Sequence, residues 1–215
     1  MENVTTATSR TDTGAALDRG ATALILGVAA MMWFGWSQAS PPVGWSLPVS
    51  ILAVAGMVTG VLTAAAAVIM SRRHRDGTRS MTDPAVHRRY LLVVSTEVLA
   101  CLAGAAGLTA VGRPAYTSAW ILLVVGIHFL PLARLFRIVA LTWAGVAAAA
   151  VAIAAAATGA VTADVAPSTV AGIGGGLVCL CCGLSCMRQM TKADLMTRAI
   201  LCRTTRRWMP RRLPG

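Results

Sequence analysis

The arrangement of charge constrains this chain most. Of its 19 Lys and Arg and its 8 Asp and Glu, only Glu97 falls inside six apolar blocks, at 21–36, 47–70, 90–111, 116–133, 138–161 and 168–187. A helix needs about 20 mainly apolar residues to cross the hydrocarbon core, and its backbone polar groups must all be satisfied within the segment. The blocks have that length, with Pro, Gly and charge between them. Composition agrees: 56% of the 215 residues are apolar and 13% charged, against about a quarter charged in a soluble domain. Fibrous, disordered and soluble globular readings are thereby excluded. The expected fold is all-α, a polytopic membrane bundle of six transmembrane helices.

Orientation follows from the cations, because Lys and Arg resist translocation. With a cytoplasmic N-terminus, every Lys and Arg except Arg113 falls in an inside segment. An odd number of spans destroys this asymmetry, so both termini are expected in the cytoplasm. The chain then divides into a polar cytoplasmic N-tail at 1–20, a six-helix transmembrane domain at 21–187 and a basic amphipathic cytoplasmic tail at 188–215. The first span lacks a small-residue cleavage site and reads as a retained signal anchor. Trp33, Phe34 and Trp36 at its far end are expected to be interfacial anchors. The segment 71–89 is read as a cytoplasmic turn, and Arg134 to Arg137 either as a very tight one or as part of a long tilted element.

A net charge of +11 would suggest nucleic acid in a soluble protein, but the topology already requires most of these cations, so no nucleic-acid partner is expected. The tail goes further than topology needs. Leu195, Met196, Ala199 and Ile200 recur at helical spacing beside Lys192, Arg198 and Arg203, with Arg206, Arg207 and Trp208 beyond. That pattern fits a helix lying on anionic inner-leaflet lipids, with these five cations as the lipid-contact residues. The partners expected are thus the lipid bilayer and its anionic lipids; homo-oligomers are compatible with the sequence.

Six cysteines, at 101, 179, 181, 182, 186 and 202, lie in spans or on the cytoplasmic side, which argues against a disulfide framework. Cys179, Cys182 and Cys186 share one helix face. Soft-metal or redox chemistry is the sharper reading, and small-residue packing in a Gly-rich helix the favoured one, so no metal or cofactor is expected. Gly56, Gly60 and Ala64 in the second span, Gly104 and Gly107 in the third, and Gly172 and Gly176 in the sixth are expected packing stripes, since close approach drives association in lipid.

Glu97 and His128 are the carboxylate and imidazole inside the spans. At 1.5 Å rise per residue both lie about 10 Å from the cytoplasmic boundary. The third and fourth spans are joined by a short loop around 112–115, so these side chains are expected to meet in the cytoplasmic third of the bundle. Ser95, Thr96, Thr142 and Cys182 fall near the same depth, and Pro131 is expected to kink the fourth span. A buried hydrogen bond that fixes packing and a protonatable site on an ion or substrate pathway are both open at this point.

The run G-x-H-F-x-P-L-A at 126–133, after a third span with an embedded Glu97, resembles a group of uncharacterised actinobacterial multi-pass integral membrane proteins; Trp33 to Trp36 followed by Pro41 and Pro42 is similar too. The resemblance implies the plasma membrane of a bacterium and no activity. Paired intramembrane His residues for haem, an H-E-x-x-H pattern, a Walker loop and a dinucleotide fingerprint are all missing. No catalytic residue is assigned, and the chain is expected not to be an enzyme. A non-enzymatic protein acting through packing, lipid contact or a partner is the first expectation, and a small transporter or permease using Glu97 and His128 the alternative. The lack of an internal repeat disfavours transport.

Overall fold

The computed structural model describes residues 2–42, 44–72, 83–162 and 164–208, the side chains of 2–16, 194 and 197–208 excepted. These residues form six helices and no strand: α1 (Glu2–Trp36), α2 (Ser46–Arg72), α3 (Pro84–Ala110), α4 (Thr117–Phe136), α5 (Val139–Val161) and α6 (Pro167–Trp208). A single 3-10 turn, Pro114–Tyr116, joins α3 to α4. Each helix contains a stretch long and apolar enough to cross a membrane: Leu17–Trp36, Ser46–Arg72, Pro84–Ala110, Pro114–Phe136, Val139–Val161 and Pro167–Ala193. Large apolar side chains such as Ile51, Leu62, Leu99, Leu102 and Trp143 point outward, as a lipid solvent allows.

Local chemistry sets the ends of these helices. Asp83 caps α3, its Oδ1 accepting from the Ala85 N–H at 2.8 Å, and Pro84 occupies the first turn, where its missing N–H is no loss. Between α4 and α5 the expected tight turn is present. Arg137 takes a left-handed φ of 55°, and the Ile138 N–H donates to the Ala133 carbonyl at 3.1 Å. Helix α4 runs through Pro131 to Phe136 as one element.

Small residues decide which helices pack. α1 and α2 approach until a methyl group added to Gly27 would lie 2.7 Å from the Gly60 carbonyl oxygen. α4 and α5 do the same at Gly126, where an added methyl would lie 2.8 Å from the Gly145 oxygen. Helix α5 buries an alanine ridge of Ala144, Ala148, Ala152 and Ala155. α6 packs on α1, α5, α2 and α4, whereas α3 leans on α4 and buries none of its residues. Gly20 lies against Ser71 and Met190, while Ser37 lies against Gly172. α1 is therefore antiparallel to α6, and both termini emerge at one end of the bundle. At the opposite end the Thr169 hydroxyl donates to the Ser40 carbonyl at 2.9 Å.

Two expectations need correction. Trp33 and Phe34 are core residues, 6% and 0% exposed, and not interfacial anchors. The reason is tertiary: Gly56 of α2 and Gly176 of α6 leave a slot for the Phe34 ring, and Gly175 lies against Trp33, which stacks on Trp36 at 5.3 Å. Gly107 has nothing within contact of the place its Cβ would occupy, so it belongs to no packing stripe within the chain. Beyond the sixth apolar block, α6 continues past Met187 as one helical element to Trp208.

Candidate intramembrane site

The side chains of Glu97 and His128 meet. Oε2 of Glu97 lies 3.2 Å from Nε2 of His128, with the imidazole 7% and the carboxylate 20% exposed. Two further contacts hold α3 in the register this requires. Towards the end away from the termini, Gly104 leaves room for the Trp120 ring, whose Nε1–H donates to the Ala100 carbonyl at 3.0 Å. Towards the termini end, the rings of Tyr90 and Phe136 pack at 6.2 Å. A Gly with no side chain, an indole with one donor and a pair of rings thus align two helices along about four turns and bring the ionisable groups to one level.

Hydrogen bonding in the pair is incomplete. Nδ1 of His128 is buried and has no hydrogen-bond partner among the described residues. With Glu97 ionised and the imidazole neutral, Nε2–H donates to the carboxylate and Nδ1 presents a bare lone pair. A carboxylate has about four acceptor sites, and the contact with His128 uses one.

Glu97 and His128 also line a cavity of about 550 Å³, within the range that holds a drug-sized molecule. It occupies the gap between α1 and α3, which barely touch, with α4 as its floor. α1 contributes a continuous stripe from Asp18 through Thr22, Ile25, Ala29 and Trp33 to Trp36, and α4 a second from Ile121 through Val125 and Phe129 to Phe136. α3 adds Tyr90, Val94 and Glu97, and α5 only Leu141. Among the described residues no Lys or Arg lines the cleft, and the wall is mostly apolar. Asp18 is a cleft residue that lay outside the first span as read from sequence. Its spacing of three, four, seven and eleven residues to Ala21, Thr22, Ile25 and Ala29 carries the signal, a helical stripe that begins before the apolar block does.

Other expected site residues are elsewhere. Ser95, Thr96, Thr142 and Cys182 do not line the cleft, and Thr96 bonds its own helix at the Leu92 carbonyl, 2.8 Å away. Cys179, Cys182 and Cys186 are buried on one face of α6, and the thiols of Cys182 and Cys186 contact each other. Among the described residues no group of three His, Cys, Asp or Glu side chains is placed to hold a metal ion. Lys192 is exposed on α6, while the side chains of Arg198, Arg203, Arg206 and Arg207 lie outside the described residues.

Six apolar helices with an outward-facing apolar surface define the class: an all-α bundle compatible with an integral membrane protein. Comparison with family models, with curated proteins and with solved structures finds no match to this chain.

Proposed function

We propose that the chain is a non-enzymatic integral membrane protein of a bacterial plasma membrane that binds a small, largely apolar molecule in the cleft between α1, α3 and α4. The observation that carries this reading is the cavity of about 550 Å³ with the Glu97–His128 contact in its wall. A pair that served packing alone would be enclosed by side chains, because a polar group left beside an empty space in the membrane loses partners and gains none. Here the pair borders a space of ligand size, whose lining is apolar apart from a few converging polar groups, as small-molecule sites are. The basic extension of α6, with Lys192 as its described member, supports a second contact of the protein, with anionic lipid at the inner surface.

Photolabelling tests this directly. Irradiation of the protein in lipid nanodiscs with an aliphatic diazirine alcohol is expected to mark cleft residues such as Ile25, Val94 and Leu132, and Ala29→Trp, which fills the space, is expected to remove those adducts. Labels confined to lipid-facing residues such as Leu52 and Leu102, unchanged by Ala29→Trp, count against the reading.

One observation favours transport as a second reading. The cleft follows α1 and α4 along nearly their whole membrane stretch, from Asp18 and Phe136 at the termini end to Trp36 and Ile121. A protonatable pair within such a path suits proton-coupled movement of a solute. Proteoliposomes that show a pH-driven flux lost in Glu97→Gln would select transport over static binding, and equal flux in protein-free vesicles would remove it.

A further inference from the structure

Building on the cleft-binding reading, we propose that the occupant is a lipophilic monocation: an amphipathic ammonium whose head sits against the Glu97–His128 contact and whose apolar body lies along the aromatic wall. Charge, hydrogen bonding and ring chemistry in the cleft agree on this class.

Charge comes first. The protein carries a net charge of +11, yet among the described residues the cleft wall contains no Lys or Arg and holds the carboxylates of Asp18 and Glu97. Asp18 is already engaged within the chain, so the selection rests on Glu97. A low-dielectric wall penalises an ionised carboxylate, and an opposite charge set against it relieves that cost. An anionic ligand would face that charge unpaired. A neutral donor such as a hydroxyl would add a hydrogen bond but leave the charge uncompensated.

Hydrogen bonding narrows the choice further. Nδ1 of His128 is buried, so the acceptors that face the cleft are those of the Glu97 carboxylate. The unused acceptor sites of the Glu97 carboxylate belong to a side chain that is 20% exposed. The pair therefore offers acceptors and lacks donors, which an ammonium N–H supplies and a carboxylate, sulfonate or phosphate does not. The rest of the wall suits the same guest: Trp33, Trp36, Phe129 and Phe136 are aromatic, and the faces of such rings attract cations.

Three naphthalene probes of one ring and different head groups test the proposal in nanodiscs at neutral pH: 1-naphthylmethylammonium, 1-naphthylmethanol and 1-naphthylacetate. Equilibrium binding, corrected for protein-free nanodiscs, is expected to rank ammonium above alcohol above carboxylate, with the first step about tenfold or more, the scale of one well-placed charge contact. Glu97→Gln, close in shape, is expected to bring the ammonium down to the affinity of the alcohol, and an unchanged thermal melt in detergent checks that the variant is folded. Ammonium binding that is unchanged in a folded Glu97→Gln overturns the choice of cation. Alcohol or carboxylate binding as well as ammonium overturns the choice of cation while the cleft-binding reading stands. Failure of all three probes, with photolabelling also absent from the cleft, overturns both.

Discussion

Replacing Gly27 by Ala and, separately, Gly107 by Ala separates the packing of this bundle from the preferences of its helices. At Gly27 the new methyl would stand 2.7 Å from the Gly60 carbonyl oxygen, 2.9 Å from the Ala64 nitrogen and 3.1 Å from the Ala64 methyl. Ordinary contact begins near 3.4 Å, and the first two neighbours are backbone, so α1 and α2 must part by about 0.7 Å. A gap of that size forfeits roughly a quarter to a half of the dispersion energy of the atoms it separates. The expected penalty is that of an overpacked core, about 1–3 kcal/mol. At Gly107 a methyl meets nothing within 4 Å. Both changes replace Gly by Ala in a helix, which by itself favours the variant by about 1 kcal/mol, and this term largely cancels in the comparison. Gly27→Ala should therefore be less stable than Gly107→Ala by about 1–3 kcal/mol in an SDS-titration unfolding assay in mixed micelles. Equal stability of the two variants refutes the reasoning.

Three further outcomes follow from the same contacts. Phe34→Ala empties a slot whose ring is 0% exposed, and is expected to destabilise the bundle by about 3–5 kcal/mol, while Leu47→Ala on the 70% exposed surface changes stability little; thermal melts in detergent compare them. Trp120→Phe removes the Nε1–H bond to the Ala100 carbonyl and is expected to cost about 0.5–1.5 kcal/mol, with hydrogen exchange rising in α3 ahead of α5. Topology reporters fused after Ala115 and Val165 should report the side opposite to reporters fused after Arg72 and Gly215, because 18 of the 19 Lys and Arg fall on the termini side of the sequence-derived topology; all four on one side sinks the six-span arrangement.

What could be read from sequence, and what could not, divides along physical lines. Length and the exclusion of charge act within one segment, so the six helices were legible from 21–36 to 168–187. The Glu97–His128 contact was legible for a related reason: a short connection forces α3 and α4 to be antiparallel neighbours, and helical rise then fixes which residues share a level. Burial of Trp33 and Phe34 was not legible. Aromatic residues at the end of a span suit an interfacial belt, and only glycines far away in sequence, Gly56, Gly175 and Gly176, make room for them inside. The cleft was invisible for a stronger reason. It exists because α3 packs on α4 and barely touches α1, and no single segment encodes a space between helices. Asp18 was missed because Arg19 beside it hid the start of the stripe.

The contact between Glu97 and His128 underlies the cleft, the ligand class and both functional readings, and it can be measured as a distance. The chain has three His and only two Glu, so Glu2→Gln, His74→Asn and His87→Asn leave one carboxylate of its kind and one imidazole. In lipid bilayers, rotational-echo dephasing between 13C-labelled Glu97 Cδ and 15N-labelled His128 Nε2 is predicted to be strong, consistent with the 3.2 Å separation of Oε2 and Nε2. Dephasing too weak for any separation under about 6 Å, in a protein that still folds, would contradict the account.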